Sequence, residues 1–144
     1  IVGEHGDTQL PLWSATHIAG MNAEEYGNMH NSTFSNEDKE LIKEDVKKAG
    51  AIIIQNKGAT YYAIAVAVNT LVETLLKNQN TIRTVSTVTD GPYGIYDVAI
   101  SLPSLINSNG VEKIVEFPIT NEEVKMLKAS ANAIKSILDV VKDI

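Results

Sequence analysis

Apolar and polar positions alternate along this chain in three distinct rhythms. From Ser35 the run SNEDKELIKEDVKKAGAIIIQNKG places Leu41, Ile42, Val46, Ala49, Ile53 and Ile54 at helical spacing. Ser35 suits the N-cap, Asp38 occupies the capping-box position, and Gly58 marks the end. A second helix follows over ATYYAIAVAVNTLVETLLKNQN. Ile64, Val68, Leu71, Val72, Leu75 and Leu76 form its stripe, and Ala63, Ala65, Val66 and Ala67 make its first turns apolar on most sides. Such a helix is expected to be buried in the molecule or against a partner. The rhythm then shortens. TIRTVSTVTDG reads as a β-branched strand, DGPYG as a tight connection, YDVAISLPSLI as a second strand, and NSNG as the turn of a hairpin into VEKIVEF.

The helical period returns in TNEEVKMLKASANAIKSILDVVKDI, capped by Thr120 and Glu123 and lined on one face by Val124, Leu127, Ala131, Ile134, Leu138 and Val141. At 1.5 Å per residue this helix reaches roughly 35 Å. Before Ser35 the pattern is weaker: Pro11–Ile18 is expected to begin a short helix ended by Gly20, and 23–33 to be a loop with a little helix. Helices, then strands, then a helix imply an α+β fold: two long helices, an antiparallel sheet region and a long C-terminal helix.

Composition narrows the function classes. The 144 residues are 44% hydrophobic and 21% charged, enough apolar material for the core of one ordinary domain. The net charge of −6, without a basic run, gives no footprint for nucleic acid or an anionic membrane surface. There is no cysteine, which excludes disulfides, thiolate metal sites and a thiol nucleophile, and fits a reducing compartment. No apolar run approaches a membrane span, and no signal-peptide pattern is present. The chain lacks an initiator Met and opens on residues that read as a strand entering a site. It is therefore expected to be a piece of a longer protein.

The opening IVGEHGDTQLPLW carries the sharpest candidate. His5 lies between Gly3 and Gly6, with Glu4 before it and Asp7 after. Glycines let backbone turn sharply and approach closely, so the segment reads as the end of a strand that delivers His5 into a cleft. An imidazole ordinarily titrates near neutral pH and suits general acid–base work. The plainer alternative is a histidine hydrogen-bonded to Asp7 or Glu4 in a turn. Thr60, after Lys57-Gly58, either caps the second helix or faces a ligand near its N-terminus. Tyr61 and Tyr62 read as packing residues, and the charges of 37–48 as a solvated face. His5, His17 and His30 form no metal-binding spacing, so no metal is expected. GxGxxG, GxxxxGK[ST] and GxSxG are all missing.

These residues resemble a known family. IVGEHGDTQLPLWS is similar to the active-site segment of the L-lactate dehydrogenases, within the lactate/malate dehydrogenase family; the Glu before His-Gly-Asp favours the lactate branch. KGATYYAIA resembles the family's second substrate segment, and DVAISLP, INSNGVEKIVEFPIT and NEEVKMLKASANAIK resemble its C-terminal strands and last helix. The resemblance covers the whole chain in order. It implies that residues 1–144 are the C-terminal, substrate-binding half of a subunit whose Rossmann half, with its GxGxxG, lies upstream. It implies NAD as cofactor, pyruvate and L-lactate as substrates, a cytoplasmic enzyme of glycolysis and pyruvate fermentation, and a homotetramer. It makes His5 the proton donor and acceptor, places Thr60 beside the substrate and packs Ile64 on the nicotinamide. The Asp that pairs with His5 and the substrate-binding arginines would lie upstream. Two departures are minor: His17 sits slightly later than in relatives, and Ile-Ser-Leu precedes Pro103 where Gly-Val is commoner. The rival readings are a non-catalytic binding or oligomerisation module, the matching half of a malate or other 2-hydroxy acid dehydrogenase, and, more distantly, a hydrolase using a His–Asp pair.

Overall fold

The computed structural model describes residues 1–30 and 34–141. Among these residues the fold is α+β, with four α-helices and two small antiparallel sheets. Two compact units make it up: Ile1–Lys47 with Phe117–Ile144, and Lys48–Glu116.

In the first unit, Val2 and Leu10 exchange backbone hydrogen bonds of 2.9 and 3.0 Å, an isolated bridge that closes residues 3–9 into a loop. The expected strand ahead of His5 is thus a single bridging pair. The expected helix over Pro11–Ile18 is also replaced. A short 3-10 turn at Trp13–Ala15 leads into a hairpin of β1 (His17–Ile18) and β2 (Met21–Asn22). Its two turn residues, Ala19 and Gly20, both have positive φ (53° and 86°), as a two-residue hairpin turn of matching twist requires. Ala19 gives no sequence signal for that conformation, which explains the misreading. Helix α1 (Ala23–Met29) starts in a capping box between Asn22 and Glu25, so the loop expected from residue 23 is helical in its first part. Residues 31–33 of that expectation lie outside the described residues.

Helix α2 (Asn36–Lys57) begins as expected. Ser35 Oγ accepts from Asp38 N–H at 3.1 Å, and the Asp38 carboxylate accepts from Ser35 N–H at 2.9 Å. The Ser35 hydroxyl also donates to that carboxylate at 2.7 Å, and the bonds it receives from the Ser35 side chain and backbone hold the Asp38 carboxyl below its ordinary range. The boundary between the two units falls inside this helix, and none of its residues is buried.

Helix α4 (Asn121–Val141) completes the first unit. Leu127 and Ala131 of the expected face are buried, whereas Leu138 and Val141 are exposed. The buried stripe also holds two polar residues, Glu123 and Ser130, at 5% and 0% exposure. They lie about two turns apart on one face.

The second unit joins helix α3 (Tyr62–Leu76) to a sheet of β3 (Thr81–Asp90), β4 (Tyr96–Asn107) and β5 (Gly110–Ile114) in the order β3-β4-β5. Strand β4 supplies the buried apolar residues Val98, Ile100, Leu102 and Ile106, and Ile95 just ahead of it adds another. Alternation in β3 turns Ile82 and Val88 outward and leaves Thr89 buried, its hydroxyl donating to Val98 O at 3.0 Å. Pro103 is tolerated in this central strand because β5 ends beside it, and its carbonyl still accepts from Val115 N–H at 2.8 Å. Along α3, Tyr62, Ile64, Val66, Val68, Val72 and Leu76 are exposed, and Thr74 is its one buried residue among those described.

Candidate active site

The loop closed by Val2 and Leu10 carries His5 near its tip, with the imidazole exposed. Neither carboxylate beside it in sequence is its partner. Glu4 folds back over the loop instead: its carboxylate accepts from Thr8 N–H at 3.3 Å and, more closely, from the Thr8 hydroxyl. Asp7 is exposed. Among the described residues no hydrogen bond reaches the His5 ring, so the alternative of a histidine tied to Glu4 or Asp7 falls away. A carboxylate that orients it would have to come from another segment.

Both glycines make room for contacts that the segment itself makes. Gly3 has φ +95°, and a Cβ there would stand 2.8 Å from Ser130 Oγ. A Cβ on Gly6 would stand 2.5 Å from Glu4 Oε1, so Gly6 leaves room for the returning carboxylate.

Two residues of α4 hold this segment. Ser130 Oγ accepts from Glu4 N–H at 2.8 Å and lies 3.0 Å from Thr8 Oγ1. Farther along, the Glu123 carboxylate accepts from Ser14 N–H at 3.0 Å and from the Ser14 hydroxyl, and also from the N–H and hydroxyl of Thr120, each at 2.9 Å. Burial pushes the Glu123 carboxyl up, but the bonds from Ser14 and Thr120 outweigh it and leave the group below its ordinary range. The sequence showed Glu123 as a capping-box acid but not its reach to Ser14. Ser130 and Thr8 were missed. The available signal was a hydroxyl set between the apolar residues Leu127 and Ala131 of α4.

Thr60 and Ile64 lie in the second unit. Helix α3 is preceded by Tyr61 at its N-cap, with no side-chain cap bond. The capping role for Thr60 is therefore corrected: it stands one residue too early, is exposed, and its hydroxyl has no hydrogen-bond partner among the described residues. Ile64 is 62% exposed in the first turn of α3, an apolar surface suited to the face of a planar ring. Tyr61 and Tyr62 pack on each other, ring centroids 4.6 Å apart, and both remain exposed.

A cavity of about 520 Å³ in the first unit is lined by Trp13, Ser14, Lys39, Glu40, Glu122 and Glu123, among others. His5 is not among its described lining residues. Its carboxylates outnumber Lys39, which already pairs with Glu24 at 3.0 Å, so it is ill suited to a small carboxylate substrate.

The fold of the chain matches that of known proteins. The family described as lactate/malate dehydrogenase, alpha/beta C-terminal domain, matches residues 1–144. L-lactate dehydrogenase 1 of Clostridium acetobutylicum is 44% identical over 98% of this chain and 45% of its own length. Among solved structures, an L-lactate dehydrogenase from Clostridium thermocellum superimposes with a TM-score of 0.83 at 61% identity, covering 98% of this chain and 45% of that one. The ligand-bound minor L-lactate dehydrogenase of Enterococcus mundtii gives 0.91 at 34% identity, with the same coverage. The chain thus spans less than half the length of the relatives it matches. It belongs to the lactate/malate dehydrogenase family, as that family's alpha/beta C-terminal domain.

Proposed function

We propose that this chain is the substrate-binding half of an L-lactate dehydrogenase that interconverts pyruvate and L-lactate, with His5 as the acid–base group. The observation that carries the reading is an exposed imidazole on a loop fixed to α4, in a chain whose relatives are named L-lactate dehydrogenases. In the reductive direction His5 gives its proton to the C2 oxygen of pyruvate as a hydride reaches C2. In the oxidative direction it takes the hydroxyl proton of L-lactate as the hydride leaves. NADH supplies that hydride when bound, and NAD receives it. The exposed apolar side chain of Ile64 fits one face of a nicotinamide, and the free hydroxyl and methyl of Thr60 fit a wall beside the substrate.

This chain has no glycine-rich phosphate cradle, so the dinucleotide falls to an N-terminal Rossmann domain of the same protein. Alone, the chain is expected neither to bind NADH tightly nor to reduce pyruvate. The exposed apolar residues of α3 support assembly, and a homotetramer acting in the cytoplasm is part of the proposal.

The test is His5→Asn in the full-length protein. It keeps the size of the side chain but removes the proton shuttle. Its kcat should fall about 10²- to 10⁴-fold with NADH binding little changed; near-normal kcat would refute the assignment.

A further inference from the structure

Serine inside a helix usually faces water or bonds back to its own helix. Ser130 does neither: it is fully buried and bonds to a segment 126 positions away. The geometry fixes the direction of each proton. Thr8 Oγ1 donates to the Glu4 carboxylate, so its proton is committed. The 3.0 Å contact between the Thr8 and Ser130 hydroxyls is then donated by Ser130. Ser130 Oγ in turn accepts from Glu4 N–H at 2.8 Å. The result is a closed ring: Glu4 N–H to Ser130, Ser130 to Thr8, Thr8 to the Glu4 carboxylate. The negative charge at its end polarises every bond in it. Gly3, with positive φ and no Cβ, lets the backbone pass close to Ser130.

His5 follows Glu4 in the Glu4–Thr8 segment whose two ends this ring ties together, yet its exposed imidazole has no hydrogen-bond partner among the described residues. Its position is set through its backbone. We propose that Ser130, with Thr8, is a positioning residue for His5: the hydroxyl ring fixes the Glu4–Thr8 loop on α4 and so fixes where the imidazole stands. This rests on the acid–base reading of His5.

In the full-length protein, Ser130→Ala removes the hydroxyl with little change of volume. Because misplacing a reacting group by about 1 Å can cost 10²-fold, kcat for pyruvate reduction should fall about 10- to 100-fold with KM for NADH unchanged. A second pair keeps the outcome decisive should Ser130→Ala fold poorly. Thr8→Val breaks the ring at an exposed position and should lower kcat, and Thr8→Ser, which keeps the hydroxyl, should restore it. In a His5→Asn background Ser130→Ala should change kcat by less than about twofold, because the group it positions is gone. Equal fold-losses in the two backgrounds would overturn the proposal. So would wild-type kcat in both Ser130→Ala and Thr8→Val while His5→Asn is impaired. Wild-type kcat in His5→Asn itself would instead overturn the acid–base reading, and this proposal with it.

Discussion

Ser14 and Glu123 stand 109 positions apart in the sequence, yet the backbone N–H and hydroxyl of the first both donate to the carboxylate of the second. Because Thr120 donates to the same carboxylate, a helix cap doubles as a clasp on the segment that follows the His5 loop. The charge matters as well as the shape, since ionised acceptors make the stronger bonds.

Acid should loosen this clasp. The Glu123 carboxyl lies below its ordinary value of 4.5 in the folded state. Its contribution to stability is therefore fully present above that value and is lost as pH falls through the lower, folded one. Unfolding free energy of the full-length protein, measured by denaturant titration from pH 6 downward, should decline less steeply in Glu123→Gln than in wild type. Glu123→Ala should cost about 1–3 kcal/mol at neutral pH by leaving buried donors unanswered.

Gly3 should tolerate no side chain. Alanine there must adopt φ near +95° with its Cβ 2.8 Å from Ser130 Oγ. The strain should cost about 1–3 kcal/mol, read as a lowered Tm of the full-length protein, and kcat should fall with it. Gly20, also at positive φ but with open space around it, should cost less on the same substitution.

Thr60 should govern substrate choice rather than helix stability. Since it caps nothing, Thr60→Gly in the full-length protein should leave Tm nearly unchanged. It should raise the kcat/KM ratio for 2-oxobutyrate over pyruvate about 10- to 200-fold, the scale of one or two methylenes. An unchanged ratio would remove Thr60 from the substrate site.

Much of the fold was legible because its signals are local. The Ser35–Asp38 and Thr120–Glu123 boxes, the strands β3 to β5 and the long last helix all declare themselves within a few residues. His5 was legible as a glycine-flanked histidine, but it was expected in a cleft rather than exposed near a loop tip, and the contacts its glycines make room for were not legible. Gly3 makes room for Ser130 and Gly6 for Glu4, and contacts of that kind are tertiary facts. The β1–β2 hairpin escaped for a different reason: Ala19 takes a backbone conformation that its residue type does not announce. The apolar stripe of α3 was read correctly as helical, yet its exposure within this chain depends on what else exists to cover it.

The bond from Glu4 to Ser130 spans 126 positions, which sets the order of events at the ribosome. His5 lies near the start of this chain and emerges early, and the helix that anchors its loop follows more than a hundred residues later. At roughly 5–20 residues per second, the loop waits roughly 6–25 seconds for its anchor. The loop that carries His5 thus gains its tie to α4 only when almost the whole domain has been made, so that a truncated product lacking α4 keeps the histidine but loses the bond that holds its loop.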